Sequence, residues 1–309
     1  MEKQIFSKSF NKGGELLLIS LIWFLIIPES VSQVLTDRVD LSFGIQTWDP
    51  VHIKVDEKTG SAFSTPIRFT ALNSTYYPFN LSIDFVQFEN LSPKPPVRDV
   101  KVSHGTNNLY TFSVQVPGVG YGYRYTYKYW LASSDEIING EFPYLIPLKE
   151  GTLVKSKKTF FGSLINTFAG NAGDTVFCMR RGLVTAVPRS ETMDFRLSQY
   201  DCLEVLHDDG TYMIYCYLKK TDNFTAPGRI VLPGQPIGTL SDSSYLFVKL
   251  MKIGEISNLL ISQPIKYTLE KSRTVSFDEI DGIEKSVFPW EVITKEMKSK
   301  ELKQAQKNK

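Results

Sequence analysis

Apolar and polar residues alternate with a period of two in three stretches of the first half of the chain. The stretches span residues 79–85, 110–116 and 121–129, and the last one alternates tyrosines with Gly, Arg, Thr and Lys. This period puts one face of a strand against a core and the other towards solvent. The proline-rich run 93–96 lies between two of the stretches and favours a turn. Several short strands at this spacing predict an antiparallel, immunoglobulin-like β-sandwich over residues 33–141.

The tyrosines of the stretch 121–129 have two interpretations. Exposed aromatic faces could stack on sugar rings. Alternatively, the rings pack on one side of the sheet and keep their hydroxyls at its rim, which is the more ordinary arrangement.

The second half of the chain is organised around a hairpin. Two apolar runs flank the polar tip Asp208-Asp209-Gly210, where glycine supplies the positive φ of a tight turn. Glycines at 228, 234 and 238 follow at intervals typical of turns between short strands. These patterns predict a second β domain over residues 142–262. Residues 263–309 are predicted as an extension whose end, from Glu291 on, forms a solvated helix and tail.

The beginning of the chain has the layout of a secretory signal. Lysines precede an apolar run at residues 16–27, Pro28 ends the run, and small residues at 30–32 offer a cleavage site. Residues 1–32 are therefore predicted to be a cleaved signal peptide, with an uncleaved anchor as the alternative. The mature chain is expected in the periplasm or secreted, with no membrane span. A net charge of +2 over 309 residues gives no reason to expect a nucleic-acid partner.

The three cysteines do not form a metal-site pattern, because no C-x-x-C pair occurs. Reflection about Asp209 places Cys202 opposite Cys216 in the predicted hairpin. Export permits a disulfide there, and two buried thiols on paired strands are the alternative.

The order of these motifs resembles the M23 family of zinc metallopeptidases, the LytM and lysostaphin type. The similarity covers residues 143–250 and is most specific at 206–211, 215–218 and 234–238. The alternation, the composition of the chain's end and this resemblance together predict an all-β chain: the β-sandwich, then an M23-like antiparallel β domain, then a short C-terminal helix.

The catalytic positions of the M23 pattern are replaced. Where that family has its H-x-x-x-D motif, this chain has Ser163 and Thr167; Tyr217 stands for the histidine of Y-A-H-L; Tyr245 and Phe247 stand for the two histidines of H-L-H. Zinc needs His, Asp, Glu or Cys ligands, and a phenol with a pKa of about 10 is a poor general base at neutral pH. The resemblance thus implies no catalytic residue, no metal and no cofactor. His207 matches a non-catalytic histidine of the family.

These observations favour an exported, non-catalytic M23-like module that binds a cell-wall peptide, a glycan strand or an envelope protein as a regulator or scaffold. The five replaced positions would line its groove. Two other functions stay open: an active cell-wall zinc metalloendopeptidase with unusual ligands, and a purely structural envelope subunit.

Overall fold

The computed structural model describes residues 50–57, 66–96, 98–132, 142–156, 166–186, 202–219, 221–241, 245–253 and 260–307. The predicted signal peptide and Ser163 lie outside these ranges. The chain divides into two compact units. The first holds the described residues up to Asn73 together with Pro78–Leu131, and the second holds Ser74–Tyr77 and the described residues from Ala132 onwards.

The first unit consists of strands in two antiparallel sheets. The strands are β1 (Val51–Asp56), β2 (Ile67–Asn73), β3 (Phe79–Glu89), β4 (Leu91–Ser92), β5 (Val100–Val102), β6 (Gly105–Val114) and β7 (Gly122–Leu131). One sheet has the order β1-β2-β6-β4 and the other the order β5-β3-β7. The three alternating stretches of the sequence correspond to β3, β6 and β7.

Aromatic side chains pack between these two sheets. The ring of Phe69 on β2 lies 5.3 Å from the ring of Phe85 on β3, and 5.2 and 5.4 Å from the rings of Tyr123 and Tyr125 on β7. Edge-to-face pairs at such distances are favourable arrangements of aromatic rings. The two tyrosines therefore pack on one side of their sheet, the second of the two interpretations given above.

The second unit is also built from short strands, with two α-helices and three single-turn 3-10 helices among its described residues. The strands are β8 (Pro143–Tyr144), β9 (Asn166–Ala169), β10 (Thr175–Phe177), β11 (Gly182–Ala186), β12 (Leu203–Leu206), β13 (Tyr212–Cys216), β14 (Leu218–Lys219), β15 (Ile230–Val231), β16 (Pro236–Leu240), β17 (Tyr245–Ile253), β18 (Leu260–Gln263), β19 (Lys266–Thr268) and β20 (Thr274–Ser276). The α-helices are α1 (Trp290–Thr294) and α2 (Ser299–Lys307). The chain is thus all-β with a short C-terminal helix, as the sequence predicted.

The main sheet of this unit has the order β15-β11-β12-β13-β17-β18, and β9 also pairs with β17. Two smaller sheets have the orders β10-β16-β14 and β20-β19-β8. Pairing is antiparallel except between β8 and β19. Along β17, Leu246, Val248 and Leu250 point into the hydrophobic core, so Tyr245 and Phe247 belong to the opposite face.

The segment predicted as an extension belongs to the same core. Val275, Phe277 and Ile280 are buried in it beside residues of the main sheet. The single helix predicted from Glu291 is observed as two helices separated by residues 295–298. Long-range burial of these apolar side chains, which no local pattern reveals, joins the segment to the unit.

The predicted hairpin is present as β12 and β13, with the residues Leu203 to Leu206 facing Tyr215 to Tyr212. At its tip the amide of Gly210 donates to the carbonyl of His207 at 3.0 Å. Gly210 has a φ of 79°, a conformation in which a side chain would be strained.

Candidate functional site

Three of the residues singled out by sequence lie side by side in the second unit. β9 pairs with β17 so that Thr167 faces Phe247 directly. The ring of Tyr217 lies 4.8 Å from the ring of Phe247. Tyr245 is two residues before Phe247 and therefore on the same face of β17. We refer to Thr167, Tyr217, Tyr245 and Phe247 as the aromatic cluster.

Tyr217 reaches the cluster by leaving the strand. β13 ends at Cys216, and Tyr217 has a φ of 68°. Its carbonyl accepts a hydrogen bond from the amide of Ser241 at 2.8 Å. Tyr217 does not continue the strand that holds Tyr215, because this left-handed residue turns the chain. Left-handed backbone is uncommon for a non-glycine residue and persists only where contacts with the surrounding structure stabilise it.

Solvent reaches the cluster only in part. Thr167 is buried, and its hydroxyl has no hydrogen-bond partner among the described residues. Tyr217, Tyr245 and Phe247 are each half-buried, and Tyr217 packs against the hydrophobic core. The cluster therefore presents partly exposed rings above a buried polar atom.

A disulfide borders the aromatic cluster. Cys202 and Cys216 are bonded at the open end of the hairpin, and Cys216 faces Phe247 across β13 and β17. Of the two alternatives left by the sequence, the structure has the disulfide. The third cysteine, Cys178, is fully buried, and burial raises the pKa of its thiol to about 12. It is therefore protonated and unreactive at neutral pH.

We expect reduction of this disulfide to lower the free energy of unfolding by ~3 kcal/mol, since the bond closes a loop of about 15 residues in the unfolded chain. Urea unfolding of oxidised protein and of a Cys202→Ala/Cys216→Ala variant measures the difference. Cys178→Ala is the matched control for loss of a thiol without loss of the bond. Equal midpoints for the oxidised protein and the double variant would contradict the expectation.

A network of buried ion pairs, which the sequence did not indicate, surrounds the tip of the hairpin. Arg180 and Arg181, together called the arginine pair, precede β11, and both side chains are 3% exposed. Arg180 pairs with Asp209 at 2.8 Å and Arg181 pairs with Asp208 at 2.9 Å. Burial opposes the charge of Arg180, but Glu296, Tyr144 and Asp209 offset it and raise the pKa of the guanidinium. Both arginines are therefore permanently charged.

His207 is buried next to this arrangement. Its Nδ1 lies 2.8 Å from the carbonyl of Arg181, and its Nε2 has no hydrogen-bond partner among the described residues. Burial, followed by the nearby positive charge of Arg180, lowers the pKa of His207 to about 3. The imidazole is neutral at physiological pH, and its role here is structural.

Within the described ranges, no group of three or more His, Cys, Asp or Glu side chains could hold a metal ion. None of the helices in those ranges is long and apolar enough to cross a bilayer.

No protein-family model matches the chain, and no curated protein matches it. Among solved structures, the chain is similar to Helicobacter pylori Csd3 from a hexagonal crystal, with 14% identity and a TM-score of 0.29 over 92% of this chain and 64% of that chain. For Csd3 from an orthorhombic crystal the identity is 13% and the TM-score 0.30, over 91% of this chain and 90% of that one. A zinc-containing peptidase from Vibrio cholerae is similar at 11% identity and a TM-score of 0.28, over 82% and 93% of the two chains.

Proposed function

We propose that this chain is an exported, non-catalytic M23-peptidase-like module that binds a cell-wall peptide, a glycan strand or an envelope protein. The observation that carries the proposal is the meeting of Thr167, Tyr217 and Phe247 at one place. These are positions that the M23 resemblance assigns to the metal and to proton transfer. Export is proposed from the signal-like layout of residues 1–32.

The side chains of the aromatic cluster are unsuited to zinc hydrolysis. The phenyl ring of Phe247 has no donor atom, and a hydroxyl such as that of Thr167 is outside the usual set of zinc ligands. A phenol is a poor general base at neutral pH compared with an imidazole. Adjacent, half-exposed aromatic rings do suit recognition, because they offer rigid apolar faces with a polar hydroxyl at the rim.

We expect the double substitution Tyr217→Ala/Tyr245→Ala to weaken partner binding by ~2 kcal/mol, roughly 30-fold, because truncated aromatic anchors commonly have effects of this size. Crosslinking and pull-down from envelope extracts identify the partner, and titration with that partner measures the loss. Tyr121→Ala, at a tyrosine of the first unit that is 43% exposed, is the matched control. Thermal unfolding of each variant reports whether the fold is retained.

A structural subunit is the second candidate, favoured by the burial of Thr167 and the packing of Tyr217 against the core. In that case the double variant would lose thermal stability and recover every crosslinked partner unchanged. The third candidate, a metallopeptidase with unusual ligands, requires about one zinc per chain in elemental analysis of purified protein. That result would overturn the proposed non-catalytic function.

A further inference from the structure

The end of the chain is tied to the second unit mainly through charged groups. We call residues 295–307 the strap; it contains helix α2, in which no residue is buried. Apolar burial is what usually fixes a terminal helix to a domain. The buried anchor nearest to the strap is Val292 in α1. Met297 and Leu302 of the strap are only half-buried, so specific polar contacts contribute to its position.

Two carboxylates of the strap contact the arginine pair, and Nζ of Lys295 lies 5.0 Å from the centre of the Phe142 ring. Both oxygens of Glu296 accept from Nε of Arg180 at 3.0 Å, and one of them also accepts from Nη2 at 2.5 Å. Glu301 accepts from Nε and Nη2 of Arg181 at 3.0 and 3.1 Å. Two-point pairing of a guanidinium with a carboxylate is stronger than a neutral hydrogen bond and fixes the relative orientation of the two groups.

Each arginine divides its donors between a permanent partner and the strap. Nη1 of Arg180 donates to Asp209 and to the hydroxyl of Tyr144, while Nη1 of Arg181 donates to Asp208. The hairpin tip and β8 supply these partners. The Nε and Nη2 edges of both guanidinium groups are left for carboxylates from elsewhere. Asp209, Tyr144 and Asp208 therefore remain available as partners of the two guanidinium groups when the strap leaves.

The guanidinium group of Arg180 also packs against two aromatic rings. Its guanidinium carbon lies 3.9 Å from the centre of the Phe142 ring and 5.5 Å from that of Tyr144. Stacking of this kind fixes the plane of a guanidinium group. An arginine that is already oriented loses little entropy when it binds a carboxylate, so the pair is suited to exchange one acidic ligand for another.

We propose that the arginine pair is a binding site for a peptide segment that carries two carboxylates at the spacing of Glu296 and Glu301, and that the strap occupies this site within the same molecule. A partner segment of this chemistry replaces the strap and takes over both two-point ion pairs. The strap competes well because a tethered ligand acts at an effective concentration in the millimolar range. A partner can bind only when the strap has left the arginine pair, so the stability of the bound strap lowers the partner's apparent affinity and association rate.

Fluorescence anisotropy of the intact protein with a labelled synthetic peptide of residues 295–309 tests the proposal. The variant Glu296→Gln/Glu301→Gln weakens the strap, and we expect it to bind the peptide at least tenfold more tightly than the unmodified protein does. A peptide in which both glutamates are glutamine should not bind to either. Glu291→Gln is the matched control, because this exposed carboxylate lies on α1 and bonds to Ser272 instead of the arginine pair.

Trypsin cleavage at the strap lysines reports release of the strap independently. We expect cleavage in the double variant at least tenfold faster than in the unmodified protein and in Glu291→Gln, with a smaller increase for Glu301→Gln alone. A strap that stays resistant in the double variant would show that other contacts hold it, and would overturn the proposal. Failure of the released variant to bind the peptide, or equal binding of the glutamine peptide, would overturn it as well.

Discussion

Replacement of Arg180 by alanine is expected to lower the free energy of unfolding of the second unit by roughly 3–5 kcal/mol, the usual effect of removing one partner from a buried ion pair. The side chain of Asp209 is 7% exposed and would lose its cation. Glu296 would lose its two-point partner, and the space over the Phe142 ring would be left empty. Urea unfolding followed by circular dichroism measures the loss.

Three further variants identify the cause of this loss. Arg229→Ala, at an exposed arginine of the same unit, should change the free energy of unfolding by less than about 0.5 kcal/mol. Arg180→Lys keeps the charge but not the planar fork, so an intermediate loss is expected. Adding Asp209→Asn to Arg180→Ala should recover part of the stability, because an amide leaves no unpaired buried charge. An unchanged midpoint for Arg180→Ala would show that the network contributes little.

Acidification is expected to destabilise the second unit through His207. Below about pH 6.5 the imidazole takes up a proton in the unfolded chain but not in the folded one. The free energy of unfolding should then fall by about 1.4 kcal/mol for each pH unit. In the folded chain the pKa of this buried imidazole is about 3. Its contribution to stability is therefore complete above about pH 6.5 and is lost as the pH falls towards 3. Over that whole window the loss amounts to several kcal/mol.

Urea unfolding at intervals between pH 7 and pH 5 isolates this effect from carboxylate titration. The pKa of Asp209 is raised by burial but lowered further by Arg180 and Thr211, so its net shift is downward. Its stabilising effect is then lost only below the ordinary carboxyl range near pH 4. His207→Gln should flatten the profile between pH 7 and 5, while His52→Gln, at an exposed histidine, should leave the slope unchanged. A slope that survives in His207→Gln would exclude His207 as its source.

Local patterns in the sequence were sufficient for the strands and turns. The period-two stretches are β3, β6 and β7, and the Asp208-Asp209-Gly210 tip joins β12 to β13. Both signals act between neighbouring residues: alternation separates the two faces of a strand, and a glycine permits a positive φ. The hairpin register followed from its tip, which is why Cys202 and Cys216 could be placed opposite each other from the sequence.

The candidate site needed contacts between distant residues. Thr167 and Phe247 face each other because β9 pairs with β17, and the M23 resemblance indicated both positions without showing that they meet. Tyr217 meets Phe247 only because its backbone turns left-handed after Cys216. Half-burial of these rings depends on packing, which no spacing in the sequence reveals.

By itself, the sequence determined that the chain is all-β and where the main hairpin turns, and it indicated which residues stand at positions resembling the M23 pattern. The tertiary structure alone decided that the end of the chain, predicted as a solvated helix and tail, returns to the hairpin tip. Glu296 and Glu301 lie more than a hundred residues from the arginine pair, with separations of 116 and 120. Ion pairs across such separations depend on how the sheets pack in the folded chain, which no local pattern reveals. Lys- and Glu-rich segments have the same local composition whether they are solvated or paired with a buried arginine.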